Sequence, residues 1–266
     1  MYAFQYHRPA SLGEAATLLG KLGDGKALAG GQTLVAAMKL RLAQPSDLVD
    51  LGGIAELAGI QADGDALVIG ALTRHADVAA SADVRKRIPA LAHLAGGIGD
   101  RQVRAAGTLG GSIANNDPAA DYPAGVLGLG ASVVTSQRSL GADEFFKGLY
   151  ETALKPGELI KSVSFPVPKR AGYAKFANPA SRFALIGVFV SQAASGAVRV
   201  AVTGAGNGVF RSAELEKALT ASFTPEAAGA VKVPASSCNG DLHASAEYRA
   251  HLVSVMAKRA VAAALG

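Results

Sequence analysis

Two stretches decide how this chain reads: L-A-G-G-Q-T-L, Leu28 to Leu34, and G-T-L-G-G-S-I-A-N-N-D-P-A-A-D, Gly107 to Asp121. They lie about 80 residues apart, and each sets adjacent glycines beside a hydroxyl residue between apolar flanks. Glycine reaches positive φ and lets the backbone approach a ligand closely. Successive free N–H groups in such turns form anion-holding concavities. Two of them in one chain point to a grip on a diphosphate, and so to a dinucleotide; a single Gly-Gly turn would be ordinary.

The first stretch runs through Thr33 into a predicted helix, so a diphosphate there would meet free N–H groups and the positive end of the helix dipole. The spacing is neither the Rossmann nor the P-loop pattern, and a plain βα turn accounts for the same residues. The second stretch adds the Thr108 and Ser112 hydroxyls, then Asn115, Asn116, Asp117 and Asp121. So many short polar groups are costly to bury unless something satisfies them. A hydroxyl-rich ribityl chain is a suitable partner, with Asp121 accepting from it. Alternatively, the Asx side chains bond their own backbone.

Working outward, Phe4 to Pro9 reads as a short extended entry and Ser11 to Leu22 as a helix with Ser11 and Glu14 as a capping box. Lys26 to Ala29 reads as a strand, Thr33 to Leu42 as a helix and Asp47 to Leu51 as a strand, a β–α–β–α–β unit that ends near residues 55–65. Beyond it, Ala66 to Gly70 reads as a strand, Arg74 to Ala80, Val84 to Leu94 and Pro123 to Leu129 as helices, and Ala131 to Ser136 as a strand. Gly141 to Phe146 reads as a short helix, and Glu158 to Phe165 alternates as a strand should. Pro166 and Pro168 mark a linker. After it, Gly172 to Phe176, Ala184 to Gln192 and Ala197 to Ala205 read as successive strands, which favours an antiparallel sheet. Helices follow at Ser212 to Ala221 and Tyr248 to Leu265. The expected division is therefore 1–167, in two subdomains, and 168–266.

Composition narrows the function classes. Half of the 266 residues are hydrophobic and 18% are charged, as suits a globular protein. The net charge of +5 is scattered, with only Arg85, Lys86 and Arg87 clustered, so nucleic acid is not an expected partner. The single cysteine, Cys238, rules out an internal disulfide and a cluster held by this chain's own thiolates, and fits a reducing compartment. The N-terminus lacks a signal-peptide profile and no run of about 20 apolar residues appears, so a cytoplasmic protein without a membrane span is expected. The five histidines form no zinc-site spacing, and His93 reads as a core or cap histidine. No G-x-S-x-G elbow is present, and neither a catalytic nor a metal-ligating residue is assigned.

Longer segments carry a resemblance: F-Q-Y-H-R-P-A-S-L-G-E-A (Phe4 to Ala15), L-A-G-G-Q-T-L-V-A-A-M-K-L-R (Leu28 to Arg41) and the run from Ile98 to Pro123 that contains the second glycine stretch. E-L-I-K-S-V-S-F-P (Glu158 to Pro166), Y-A-K-F (Tyr173 to Phe176) and D-L-H-A-S-A-E-Y-R-A-H-L (Asp241 to Leu252) continue it. In order and spacing the chain resembles the FAD-binding medium subunit of the molybdenum hydroxylases, the family of carbon monoxide and xanthine dehydrogenases.

The resemblance implies an α+β fold: a vanillyl-alcohol-oxidase-type FAD-binding domain of two subdomains, then a C-terminal α+β domain with an antiparallel sheet. It implies that Leu28, Ala29, Gly30, Gly31, Gln32, Thr33, Leu34 and Val35 form one diphosphate loop, and Thr108, Leu109, Gly110, Gly111 and Ser112 the other. Asp121 would contact the ribityl or pyrophosphate region, Ile98 and Ile160 would line the adenine or isoalloxazine environment, and Lys175 would sit near the flavin ring, favouring the anionic reduced form. The implied partners are a large molybdenum-cofactor subunit and a small 2Fe-2S subunit, in a dimer of heterotrimers that passes electrons through FAD to NAD, a quinone or O2. Gln32 stands where relatives often carry His or Asn, and Ala177 to Phe183 lacks their Arg- and acid-rich form. Two rival readings are a flavin-free scaffold or ligand-binding protein of the same fold, and a self-sufficient FAD oxidoreductase; no acid–base cluster accompanies the turns to support the second.

Overall fold

Strand β1 (Gln5–His7), helix α1 (Leu12–Lys21), strand β2 (Gly25–Leu28), helix α2 (Leu34–Lys39) and strand β3 (Asp47–Asp50) form the expected β–α–β–α–β unit in the computed structural model, which describes residues 1–266. The strands pair in parallel in the order β1–β3–β2. Ser11 caps α1 by accepting from the Glu14 N–H, and the Glu14 carboxylate reaches back to the Ala10 N–H, one residue earlier than a strict capping box. The buried side chains of α1, Leu12 and Ala15, pack with Val49, Leu51, Ile54, Leu57 and Leu159. Helix α2 stops at Lys39 rather than Leu42, because Arg41 turns left-handed at φ 62.

The middle of the chain is a sheet backed by helices. Strands β4 (Ile60–Asp63) and β5 (Ala66–Gly70) form a hairpin that leads to α3 (His75–Ala80), α4 (Ala82–Arg87), α5 (Pro89–Gly96), α6 (Arg101–Ala106), α7 (Leu109–Asn115) and α8 (Tyr122–Leu129). The helix expected over Val84 to Leu94 is split at Ile88, because Pro89 drives the residue before it out of helical geometry. Gly110 and Gly111, expected in a turn, lie in the first turn of α7, which Thr108 caps.

Strands β6 (Ser132–Thr135) and β7 (Ser139–Gly141), helix α9 (Ala142–Phe145), strands β8 (Phe146–Gly148) and β9 (Glu151–Thr152), and strand β10 (Ile160–Pro166) follow. The five-stranded sheet has the order β4–β5–β10–β6–β7, with β10 central and antiparallel to β5 and β6. Leu67, Ile69, Val133, Val163 and Phe165 point from it into the core that holds Leu91, Leu94, Ile113, Tyr122 and Phe145.

After the prolines, β11 (Arg170–Ala177), β12 (Ala184–Gln192), β13 (Val198–Thr203) and β14 (Phe210–Arg211) form an antiparallel sheet in chain order. Helices α10 (Ala213–Ala221), α11 (Pro225–Ala230) and α12 (Ala246–Leu265) complete the chain. The pleat divides β12 between two cores: Ile186, Val188 and Val190 meet Val253, Met256 and Ala260 of α12, whereas Phe189 joins the core around α8. A Cβ on Gly172 would sit 1.9 Å from the Ala260 carbonyl, so only glycine lets α12 lie this close to β11. No helix is long and apolar enough to cross a membrane.

Candidate functional site

The loop between β2 and α2 leaves its backbone donors free. None of the six N–H groups from Ala29 through Leu34 has a partner within the protein. Gly31 adopts φ 70, and a positive-φ residue within such a run turns successive N–H groups toward one side. Gln32 and Thr33 are exposed, while Leu28 to Gly31, Leu34 and Val35 are half-buried. Helix α2 has six residues, so its dipole adds little and the loop itself supplies the donors.

The two glycine stretches touch. A Cβ on Gly30 would lie 2.1 Å from the Ala106 carbonyl oxygen and 2.8 Å from Gly107 Cα. A Cβ on Gly111 would lie 3.5 Å from the Ala29 Cβ. Residues 28–35 and 107–112 are thus in direct contact through their missing side chains, with Gly107 to Gly110 buried and only Gly111 and Ser112 reaching solvent.

The second stretch differs from expectation in one respect. Its N–H groups are spent internally: Leu109 donates to the Thr73 carbonyl, Gly110 to Ala71, Gly111 to the Thr108 hydroxyl and Ser112 to the Thr108 carbonyl. It therefore forms no second cluster of free donors. Gly110 instead permits close packing, since a Cβ there would meet the Ala71 Cβ at 2.6 Å. The reading that the Asx side chains bond their own backbone holds for Asp117, which accepts from the Ala119 N–H, but not for Asn116, whose side-chain amide donates to the distant Gly148 and Glu151 carbonyls.

Asp121, at the start of α8, is buried and its oxygens are engaged. Tyr173 Oη donates to Oδ1 and Lys175 Nζ donates to Oδ2 at 2.9 Å. Burial pushes the Asp121 carboxyl up, and the Lys175 ammonium and Tyr173 hydroxyl oppose that rise. Lys175 also donates to the Gly97 carbonyl at 3.0 Å, and Arg104 donates to the carbonyls of Ile98 and Gly99, both at 2.9 Å. Three successive carbonyls thus face cations, which fixes the Gly97–Gly99 bend and with it half-buried Ile98. Asp121, Lys175 and Ile98 gather around this bend. Ile160 lies buried in the core at the start of the central strand β10.

Sequence reading missed His75. Its Nε2 lies against Gly107, where a Cβ would come within 2.6 Å, and its ring centroid is 5.3 Å from that of Tyr122. Burial and the nearby Arg104 charge lower its pKa to about 4, so it is neutral. His75 Nδ1 and Tyr122 Oη are buried without a partner. The residues beside His75 in sequence carry no signal of this burial, which comes from α6 and α8. His93, read as a core or cap histidine, is exposed. No group of three or more His, Cys, Asp or Glu is placed to hold a metal.

Residues 2–168 match the family described as "FAD binding domain in molybdopterin dehydrogenase". The chain belongs to that family. Its likeness to medium subunits of such enzymes extends over the full length. It is 38% identical to the carbon monoxide dehydrogenase medium chain of Hydrogenophaga pseudoflava, covering 98% of this chain and 96% of that one. It is 36% identical to the nicotine 6-hydroxylase medium subunit of Paenarthrobacter nicotinovorans, covering 97% and 96%. Among solved structures it matches the carbon monoxide dehydrogenase of Hydrogenophaga pseudoflava with a TM-score of 0.91 at 38% identity, over 99% of this chain and 98% of that one. It matches quinoline 2-oxidoreductase from Pseudomonas putida 86 with a TM-score of 0.87 at 30% identity, over 99% and 97%.

The fold is therefore the α+β FAD-binding fold of this family, and the chain is an FAD-binding oxidoreductase component. The local chemistry fits that cofactor. Six free N–H donors on a glycine loop are suited to a diphosphate. The Ser112 hydroxyl has no internal partner and is half-exposed beside them, as a polar dinucleotide requires.

Proposed function

We propose that this chain is the electron-transfer subunit of a multi-subunit molybdenum hydroxylase, working beside a large molybdenum-cofactor subunit and a small 2Fe-2S subunit. The observation that carries the reading is the run of free N–H groups from Ala29 to Leu34, pressed through Gly30 onto the Ala106–Gly107 backbone. FAD accepts electrons singly or in pairs, the chemistry needed between one-electron iron–sulfur clusters and an acceptor such as NAD, a quinone or O2.

The chain's own work is binding and orientation. Ala29 to Leu34 hold the diphosphate by backbone donation, and Leu28 and Val35 wall the loop. Gly111 and Ser112 supply the facing surface, with the Ser112 hydroxyl as a free polar contact, and the buried Thr108, Leu109 and Gly110 hold that surface in place. Asp121 and Lys175 act chiefly by holding the Gly97–Ile98 bend, and Ile98 and Ile160 supply apolar packing near the cofactor. No side chain is assigned a proton-transfer role toward substrate. The chain works as domains 1–167 and 168–266, the first divided near residues 55–65, in a cytoplasmic dimer of heterotrimers.

The test is the visible absorption spectrum of the purified chain after addition of FAD and desalting. Retention of about one flavin per chain is expected. A chain that stays colourless both alone and in its co-expressed complex would overturn the reading.

A further inference from the structure

Helix α2 joins the free-donor loop to a second feature at its other end. The Leu40 N–H donates to the Ala36 carbonyl, Arg41 to Met38 and Leu42 to Ala37, a Schellman-type closure with Arg41 at the left-handed position that glycine usually fills. The closure projects two leucines into solvent: Leu40 is 71% exposed and Leu42 79%. The Arg41 guanidinium lies 5.5 Å from the centre of the Tyr2 ring, which extends the apolar surface. Scattered exposed apolar residues need no explanation, but two leucines on one turn, with a tyrosine stacked against the arginine between them, form a patch.

The charges on the segment that carries the patch have one sign. Neither Lys39 nor Arg41 has a carboxylate partner, and Gly25 to Ser46 contains no Asp or Glu. An apolar patch flanked by unpaired cations, with no acid on its own segment, matches an acidic protein face.

We propose that the Leu40–Arg41–Leu42 turn, with Tyr2, is a docking surface for a neighbouring subunit of the complex that presents an apolar notch rimmed by carboxylates. This rests on the reading of the chain as one subunit of a larger enzyme. The surface lies one short helix from the diphosphate loop.

The test uses the complex, with this chain affinity-tagged and co-expressed with its large and small subunits. Leu40→Asp/Leu42→Asp should lower recovery of one partner subunit at least tenfold, with flavin content and melting temperature of the tagged chain unchanged. Lys39→Glu/Arg41→Glu should lower recovery at low salt and lose the dependence on ionic strength. Leu242→Asp, at a leucine 90% exposed elsewhere, should leave recovery unchanged. Should the leucine pair alter the melting temperature, Leu42→Ser alone is the milder variant and should still reduce recovery. Wild-type recovery of both partners from the leucine and charge variants would overturn the proposal. So would an isolated wild-type chain that forms a homodimer dissolved by these changes, because the turn would then seat a second copy of this chain. Absence of flavin from the wild-type chain and complex would strike the functional reading separately.

Discussion

The Lys175 ammonium lies 2.9 Å from the Asp121 carboxylate and 3.0 Å from the Gly97 carbonyl, joining β11, the start of α8 and the end of α5 through one side chain. The Lys175 side chain is 10% exposed and that of Asp121 4%, so solvent screens the pair weakly. Each charge depends on the other to offset its desolvation.

Asp121→Ala should therefore destabilise the protein by about 3–5 kcal/mol, because it strands a buried ammonium and the Tyr173 hydroxyl. Lys175→Met should cost a similar amount and push the Asp121 carboxyl further up, because burial is then opposed by less. The double variant should lose clearly less stability than the sum of the two single losses, because neither charge is then left stranded. A urea-unfolding cycle measures this, and additive losses would contradict coupling. Flavin content of the double variant tests the positioning role: a stable double variant that keeps its flavin would mean that neither side chain is needed to hold the Gly97–Ile98 bend for the cofactor.

Gly30→Ala should cost about 1–3 kcal/mol or more and sharply reduce FAD retention, because its Cβ collides with the Ala106 carbonyl rather than with a movable side chain. Gly13→Ala is the contrast. It sits within α1 with nothing within 4 Å of a Cβ, so it should gain about 0.5–1 kcal/mol without affecting flavin. Thermal melts and desalted flavin content read both.

Acid should weaken the fold in two windows. His75 stays neutral to about pH 4, whereas an ordinary histidine takes up its proton near 6.5. Between those values the unfolded chain binds a proton that the folded chain does not, so stability falls by about 3 kcal/mol as pH drops. Burial would raise the Glu158 carboxyl, but hydrogen bonds from Arg138, Thr135 and the Lys155 N–H outweigh it and hold the pKa at about 2. Its contribution is present above the ordinary value of 4.5 and disappears between there and pH 2. Unfolding free energy measured against pH should lose its upper slope in His75→Phe and part of its lower slope in Glu158→Gln.

Asn116→Ala should loosen the hairpin of β8 and β9. It removes two hydrogen bonds of 2.8 Å and places alanine at φ 45, a combined cost of about 2–3 kcal/mol. Asn116→Gly should recover the backbone part alone. Limited proteolysis between Leu149 and Tyr150, both exposed at the hairpin tip, should speed up in both variants.

The elements whose cause is local were legible in the chain. Ala66–Gly70 and Ala184–Gln192 are strands with the bounds that their apolar runs predict, and the Ser11–Glu14 cap starts α1 where its spacing places it. The two glycine stretches could be read as partners in one site because backbone freedom is written in residue type. Only the folded chain decided how each is used. Gly31 and its neighbours keep their N–H groups because no acceptor within the protein reaches them, whereas Leu109 and Gly110 lose theirs to Thr73 and Ala71, residues just beyond β5 and far away in sequence. The same holds for Asp121 and Lys175, and for His75 beneath Gly107. Helix and strand periodicity arises from neighbours within a turn or a pleat, and sequence records it. Hydrogen-bond satisfaction and burial of charge are set by whichever distant segment arrives, which only the tertiary structure determines.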